Sequence, residues 1–547
     1  MIVLLVGAAL LAATGVGADS SAFAGMDDEW SDLSARLENY LAVYEAPIPS
    51  LLNVNTIPDA RICGGGKLTL ALDGANQEDN YHVTKSDFST AVLYPQRLYP
   101  KFRVKPAPLC RLSLTLNNPA NEQKDFKHIQ DMAASEIRSE LALAGGMLKV
   151  RSMAIAQKDM IVFVLDAVDT TASLNLHLQA DNGDNNFFIM EGVHDDSTVW
   201  VRKEHASFVT INAAAVLKVF GASQVQANYD KGIKANISFK VSPGSPVYLV
   251  LSVNGGKDEF FHLEKALSAL DHVDRNVIER LIHGHAAWWQ DYWLKSWINI
   301  NDTDLERFYY GALYVLGCSI DKGGRVVPGL AGGWITNPNP LWNGTYTMNY
   351  NGEAPFWGLF SANRGDLILP YAKVCVDYIP TGRRLAKELN TRGIVMPVMI
   401  GPWGLNDNPD ALGQKSNASM AALSLIWHYE FSRDTTFLKE CTYPFLRELM
   451  DFWEDNLELD DTDRYVIKGA ARERDRGDLN PGPTLGYVRK LLKAAIAFSD
   501  ELGVDRDRRG LWSDYLTRLS DYPVAVFDGN PCFIEAENRM EVSTYGS

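Results

Sequence analysis

The chain has 547 residues, of which 46% are hydrophobic and 22% are charged, so it can form two or more domains with sizeable cores. Its formal net charge is −16 and its pI is near 5.2, with no dense block of Lys and Arg. This negative charge repels phosphate backbones and excludes nucleic acid as an expected partner, whereas a neutral substrate is tolerated.

The chain begins with an apolar stretch from Ile2 to Ala13, followed by small residues. This stretch is too short to cross a bilayer comfortably, but it fits a secretory signal, and small-x-small cleavage sites occur at 16–18 and 22–24. We therefore predict a signal peptide over residues 1–24 and a secreted or periplasmic protein. An amino-terminal anchor is the alternative, because no Lys or Arg precedes the apolar stretch. No later segment resembles a membrane span.

Residues 25–260 are predicted to form an antiparallel β-sandwich. β-branched and aromatic runs alternate there with polar or Gly-rich turns at short intervals. A helical insertion is predicted over 124–146, because this helix-like stretch is terminated by the pair Gly145-Gly146. The predicted strands are 160–167, 199–203, 207–212, 235–242 and 247–256.

The periodicity becomes helical after residue 260. We predict a helical linker over 261–300 and a helical domain over 301–547. Thr303 and Glu306 form a predicted capping box, with a buried helix face that follows from the apolar spacing. A helix pair is predicted between 418 and 460, and a long helix over 484–503 ends at Gly503. The residues of the predicted buried face are Leu305, Phe308, Tyr309, Ala312 and Leu316.

Six scattered Cys residues without a C-x-x-C motif give no reason to predict a metal site, and no cofactor is predicted. Cys63 and Cys110 could form a disulfide in an exported β domain, or both could be buried free thiols. His283 and His285 lie in a helix-like stretch, which favours a role in the linker over metal binding.

The segment "WITNPNPLWNGTYTMNYNGEAPFW", residues 334–357, combines aromatic rings and Asn amides, and Glu353 is its only charged side chain. Sugars present apolar C–H faces and a rim of hydroxyls, which suit flat rings and amides respectively. Packing of the Trp rings in the helical core is the alternative, but many buried amides would need partners. A second sugar-binding loop is predicted at Trp403, beside Asp407 and Asp410. The predicted substrate-binding residues are Trp334, Trp342, Tyr346, Glu353, Trp357 and Trp403.

This segment resembles the signature of family 95 glycoside hydrolases, whose members include inverting α-L-fucosidases. The matching elements are Leu330-x-Gly332-x-Trp334, Pro340-x-Trp342, Tyr346-x-x-Asn349-x-Asn351 and the pair Phe356-Trp357. The resemblance implies an amino-terminal β-sandwich, a helical linker and an all-α (α/α)6 toroid, incomplete at the carboxyl end of this chain.

The resemblance also implies catalytic roles. Glu473 aligns with the family's general acid, and Asn349 and Asn351 align with the pair that positions the attacking water. Arg472 and Arg474 flank Glu473 and would lower its pKa if they reached it. The family's general base, an Asp in a late Asp-Gly-Asn segment, is expected beyond Ser547, because Asp528 follows Glu473 too closely for that place. Glu353, two residues beyond Asn351, is the other local carboxylate that could act as a base or accept from a sugar hydroxyl.

We therefore expect an exported glycoside hydrolase that removes a terminal sugar, α-L-fucose or a related L-sugar, by inversion. Its partners would be oligosaccharides or polysaccharides. A catalytically impaired carbohydrate-binding homologue without the general base is the alternative. A polysaccharide lyase is disfavoured, because the aromatic loop lacks the basic residues that would neutralise a uronate.

Overall fold

A computed structural model describes residues 20–48, 50–56, 58–75, 78–94, 101–120, 127–180, 187–205, 209–230, 234–405, 414–469 and 477–539. The predicted signal peptide lies largely outside these ranges, and export stays a prediction. The first described element is helix α1 (Ser20–Glu38).

The amino-terminal half contains two antiparallel sheets. The first has the order β1 (Ala42–Tyr44), β8 (Lys127–Asp131), β9 (Glu136–Leu143), β10 (Gly146–Ala154), β11 (Met160–Val168), β18 (Val247–Lys257), β15 (Ile211–Phe220), β14 (Thr198–His205) and β13 (Phe188–Asp195). The second has the order β16 (Ser223–Asp230), β17 (Lys234–Val241), β12 (Ala172–Ala180), β7 (Cys110–Leu116), β4 (Glu78–Lys85), β3 (Leu68–Ala75) and β2 (Arg61–Gly64). Strands β5 (Ser89–Tyr94) and β6 (Lys101–Pro106) form a separate hairpin.

Side-chain alternation explains the sheets. In β12 every second residue is buried, so Leu174, Leu176 and Leu178 point into the core. They share that core with Leu112 and Leu114 of the neighbouring strand β7. The predicted antiparallel β domain is confirmed.

The helix predicted over 124–146 is wrong. Residues 127–131 and 136–143 form the antiparallel hairpin β8–β9, paired from Lys127–Glu140 to Asp131–Glu136. Burial alternates along β9, with Ile137 and Leu141 in the sandwich core. The Ala- and Glu-rich composition favours a helix locally, but packing between strands β8 and β10 outweighs that weak preference.

Helices predominate after residue 260. They are α2 (His262–Ser268), α3 (Arg275–Leu294), α4 (Thr303–Ser319), α5 (Ala354–Ser361), α6 (Leu369–Glu388), α7 (Asn417–Ser432), α8 (Thr435–Phe437), α9 (Tyr443–Asn456), α10 (Gly482–Leu502) and α11 (Arg509–Arg518). Short hairpins join them: β19 (Tyr346–Thr347) with β20 (Met399–Ile400), β21 (Leu457–Leu459) with β22 (Tyr465–Ile467), and β23 (Val524–Phe527) with β24 (Asn530–Phe533). The predicted helical region is confirmed, and the incomplete (α/α)6 toroid stays a prediction.

Helix α10 ends as predicted. Gly503 caps it in the left-handed conformation, with φ of 69°, which glycine adopts without steric cost.

Helix α4 begins differently from the prediction. Asp302 is the N-cap, and its carboxylate accepts hydrogen bonds from the backbone N–H groups of Asp304 and Leu305. Glu306 is instead buried, where it accepts from the hydroxyl of Tyr40 at 2.7 Å and from Arg36 at 3.1 Å. The predicted capping box is therefore wrong, because this carboxylate holds helix α1 against α4.

The buried face of α4 also differs from the predicted one. Leu305 and Phe308 are exposed, whereas Tyr310, Leu313 and Tyr314 are buried. The helix is rotated because its aromatic residues pack against Trp289 and Trp293 of α3.

Helix α3 connects the two halves of the chain. The Nδ1 atom of His285 accepts a hydrogen bond from the backbone N–H of Ala156, and its Nε2 lies 2.7 Å from the carbonyl of Ala134. His285 therefore attaches the linker to the sandwich. Cys63 and Cys110 are both buried and are not joined in a disulfide. Among the described residues, no helix combines the length and apolar character that a bilayer crossing requires.

Candidate active site

The first part of the aromatic loop is attached to the β-sandwich. The indole Nε1–H of Trp334 donates to the carbonyl of Cys63 at 3.1 Å. The hydroxyl of Thr69 donates to the carbonyl of Gly333 at 2.6 Å. Trp334 is only 1% exposed and packs in the core of the helical half. Its predicted contact with a sugar is corrected to an anchoring role.

Two Asn amides of the loop have the same structural role. The Nδ2–H of Asn337 donates to the carbonyl of Leu52 at 2.7 Å. The Oδ1 of Asn339 accepts from the ammonium group of Lys105 at 3.1 Å. These contacts explain part of the loop's amide content without a ligand, because amides at a packed junction need hydrogen-bond partners.

The loop then pairs with a second irregular segment. Tyr346 of β19 lies opposite Ile400 of β20, and the N–H of Met348 donates to the carbonyl of Val398 at 2.6 Å. The Tyr346 ring is buried, and its hydroxyl accepts from the backbone N–H of Val327 at 3.2 Å. Tyr346 therefore holds the loop in place and presents no ring face to a ligand, which corrects its predicted substrate contact.

Two Trp residues on these paired segments have left-handed backbones. The φ angle is 50° at Trp342 and 59° at Trp403. This conformation is rare for a bulky side chain and costs about 1–2 kcal/mol per residue. The Trp342 indole is 60% exposed, whereas Trp403 is half-buried and packs against both the sandwich and helical cores. Trp342 is therefore the ring of this pair that a ligand can reach.

The anchoring role of Trp334 predicts the effect of Trp334→Phe. We expect the free energy of unfolding, measured with urea, to fall by about 1–3 kcal/mol, because the Cys63 carbonyl loses its buried donor. The exposed Trp342→Phe should change stability by less than about 0.5 kcal/mol. Unchanged stability of Trp334→Phe together with weakened glycan binding would restore the ligand-contact role.

The Asn pair lies just after β19. Residues 348–353 form turns, so Asn349 and Asn351 do not share a strand face as an extended segment would impose. Asn349 is half-buried and Asn351 is exposed. Among the described residues, neither side chain has a hydrogen-bonding partner. Both amides are therefore available to a ligand or a water molecule.

Glu353 is the unusual ionisable group of this region. It precedes helix α5, is 0% exposed, and both of its carboxyl oxygens lack a hydrogen-bond partner among the described residues. Burial raises its pKa from 4.5 to about 8, and nearby backbone N–H groups offset the rise only in part. At pH 7 the carboxyl is therefore protonated. It can donate a hydrogen bond, and only its small ionised fraction could act as a general base at that pH.

Glu353 lies where three helices meet. Burial raises the pKa values of Cys375 on α6 and Tyr487 on α10, and the charge of ionised Glu353 adds to both increases. Helix α10 follows the segment that contains Glu473. Tyr487, which the sequence analysis missed, therefore places the start of α10 near Glu353. Its only sequence signal is its position one turn into the helix after the predicted acid.

Trp357 follows one turn later on α5. Its ring packs edge-on against Tyr350 at 5.6 Å and against Trp427 of α7 at 6.3 Å. Its indole Nε1–H is buried without a hydrogen-bond acceptor among the described residues. The ring is half-buried, so part of it remains open to a ligand.

Five of the residues singled out in the sequence lie outside the described ranges, and a sixth, Asp528, lies in a surface turn. Glu473, with Arg472 and Arg474, lies outside the described residues, as do Asp407 and Asp410. Asp528 occupies the exposed turn between β23 and β24, with φ of 49°. An Asp-Gly pair is common in such hairpin turns, which accounts for the Asp528-Gly529 sequence without catalysis.

A cavity lies where the loop meets the sandwich. It is lined by Thr84, Ser319, Gly344, Tyr346 and Pro402, among others, and its volume is about 30 Å³. This space is large enough for a water molecule but too small for a sugar ring. Within the described part of the chain, no group of three or more His, Cys, Asp or Glu residues is arranged to hold a metal ion.

Comparison with known proteins identifies the helical half. Residues 289–529 match the model of the glycosyl hydrolase family 95 catalytic domain. A similar curated protein is probable alpha-fucosidase A of Aspergillus niger, which is 25% identical over 207 residues. That match covers 35% of this chain and only 25% of the relative, so the chain corresponds to about a quarter of the relative's length.

A solved structure shares the fold. A putative kojibiose phosphorylase from the human microbiome superimposes with a TM-score of 0.66 at 11% identity. The match covers 88% of this chain and 70% of that chain, which supports the order of a β domain followed by a helical domain. Together with the aromatic loop, these relationships show that residues 289–529 resemble the catalytic domain of glycosyl hydrolase family 95.

Proposed function

We propose that this protein is an exported glycoside hydrolase that releases a terminal α-L-fucose, or a related L-sugar, from an oligosaccharide or polysaccharide. The observation that carries the proposal is the family 95 catalytic-domain match over 289–529, which includes the aromatic loop. The alpha-fucosidase relative favours fucose among terminal sugars.

The proposed reaction proceeds with inversion. A carboxylic acid protonates the leaving oxygen while water attacks from the opposite face of the sugar. Glu473 is the proposed acid, because it aligns with the acid of the family. Asn349 and Asn351 are proposed to position the water, and their side chains have no partners among the described residues to prevent this.

A carbohydrate-binding homologue without turnover is the second candidate. The observation that favours it is the position of Asp528, in the chain's one Asp-Gly-Asn sequence, at an exposed hairpin turn. Glu353 is a poor replacement for a base, because its raised pKa of about 8 leaves most of it protonated at pH 7. In this case the loop would bind glycans but not cleave them.

Hydrolysis of a panel of 4-nitrophenyl α-glycosides, including L-fucose and L-galactose, tests the proposal. We expect the β-anomer of the sugar to be released first, because attack from the opposite face inverts the configuration. Proton NMR of the anomeric signal during the reaction measures this. The α-anomer as first product would exclude inversion. Binding of these sugars without any turnover would favour the second candidate.

A further inference from the structure

A continuous series of five rings lies between helices α5 and α7. Tyr350 contacts Trp357 at 5.6 Å, and Trp357 contacts Trp427 at 6.3 Å. Phe360 then contacts Trp427 at 6.3 Å and stacks with Phe431 at 5.5 Å and 20°. We call these five residues the α5–α7 seam. Its two ends, Tyr350 and Phe431, are 55% and 68% exposed, so the series reaches the surface twice.

Helical spacing places unpartnered polar groups on the same faces. Glu353, the residue before α5, and Trp357 and Phe360 on α5 are one turn apart, and Ser424, Trp427 and Phe431 are similarly spaced on α7. The carboxyl oxygens of Glu353, the hydroxyl of Ser424 and the indole N–H of Trp357 are buried without hydrogen-bond partners in the described part of the chain. Buried polar groups normally have partners, so these three indicate a place where a polar ligand or water is expected.

The chemistry of the seam suits a neutral ligand. The segment 348–362 contains one ionisable acid or base, Glu353. Its carboxyl is mostly protonated at pH 7, because its pKa is raised to about 8. Among the described residues, none of the five rings has a cationic partner. Exposed aromatic rings that have no cation over their faces fit the C–H faces of uncharged sugars.

The seam is continuous with the candidate active site. Tyr350 lies between Asn349 and Asn351, the two amides proposed to position water. Phe431 lies at the far end, on the last turn of α7. A ligand held along the rings would therefore extend away from the point where the terminal sugar is proposed to be cleaved.

We propose that the α5–α7 seam binds the sugars that follow the terminal residue of a neutral oligosaccharide. This inference rests on the proposed function and specifies its substrate class: a glycan of several sugars, held by ring faces beyond the cleaved bond. Tyr350 and Phe431 provide the exposed contacts, and the indoles of Trp357 and Trp427 lie between them.

Calorimetric titration of the full chain with thio-linked, hydrolysis-resistant analogues tests the inference. The probes are a disaccharide and a pentasaccharide that both end in α-L-fucose. Phe431→Ala should weaken pentasaccharide binding by about three- to tenfold, the scale of one aromatic contact, and leave disaccharide binding unchanged. Phe308→Ala removes a comparably exposed ring from α4, 78% against 68%, and serves as the matched control, with no expected effect on either probe. Tyr350→Ala provides a second variant at the other end of the seam.

Equal affinity of the wild-type protein for the two probes, or unchanged pentasaccharide binding in both seam variants, would overturn the inference. A second copy of the chain is the other occupant to be tested, and analytical ultracentrifugation detects it as self-association. Self-association that is lost in Phe431→Ala, with glycan affinity unchanged, would assign the seam to a protein contact and also overturn the inference. Length-dependent binding without hydrolysis of any fucoside would support the seam and contradict the proposed hydrolase activity, so the two failures are distinguishable.

Discussion

Glu473→Gln is expected to reduce kcat/KM for a natural fucosyl oligosaccharide by on the order of a thousandfold, because a positioned general acid contributes about 10²- to 10⁴-fold. The loss should be much smaller for 4-nitrophenyl α-L-fucoside, because 4-nitrophenolate leaves without protonation. The ratio of the two losses therefore reports acid catalysis specifically. Steady-state kinetics on both substrates measures it.

Glu458→Gln is the matched control. Glu458 is an exposed carboxylate paired with Lys468 on the hairpin that precedes the Glu473 segment, so its replacement should leave both rates unchanged. An equal loss on both substrates in Glu473→Gln would indicate a positional role for Glu473. Wild-type rates on both substrates would remove Glu473 from the mechanism.

Glu353→Gln is expected to stabilise the protein at neutral pH. In the unfolded chain this carboxyl releases its proton near 4.5, whereas burial raises its pKa in the folded protein to about 8. Between these two pKa values the unfolded chain is ionised at this position and the folded protein is not, so folding must take up a proton. The stability cost is absent below pH 4.5, grows between pH 4.5 and 8, and is constant above that range. Glutamine, which does not titrate, removes the cost.

The expected gain is about 3 kcal/mol in the free energy of unfolding at pH 7 and close to zero at pH 4. Urea unfolding at a series of pH values measures both. Glu136→Gln is the matched control, because Glu136 is also buried but bonds to Arg138 and Arg151. Burial alone would raise the pKa of Glu136, but these two guanidinium groups lower it, so its replacement should destabilise the protein at pH 7. Parallel stability curves for wild type and Glu353→Gln from pH 4 to 8 would contradict the raised pKa.

A carboxyl that reduces stability in this way is unusual for a purely structural position. Buried groups with strongly shifted pKa values are concentrated at functional sites. Glu353 lies in the Asn349–Asn351 turn region, one helical turn before Trp357 of the α5–α7 seam. At pH 7 its protonated carboxyl could therefore donate a hydrogen bond to a sugar hydroxyl or an ordered water, once the residues that bury it move apart.

The sequence alone was sufficient where the signal is local. Period-two burial of apolar residues identifies β12, and a Gly at the helix end identifies the limit of α10. The aromatic loop predicted the resemblance to family 95 glycoside hydrolases, and the catalytic-domain match over 289–529 agrees with it. These features depend on neighbours in the chain, which the sequence displays directly.

The tertiary structure decided which side chains are free. The hairpin at 127–143 contains helix-forming residues, and only its pairing between neighbouring strands makes it a sheet. Trp334 and Trp342 look alike in sequence, but one bonds to Cys63 in the core and the other is exposed. Glu353 has an ordinary glutamate sequence context, and its raised pKa arises from burial at a junction with helices distant in the chain. Burial, partners and pKa depend on contacts between remote segments, and those contacts exist only after the chain has folded.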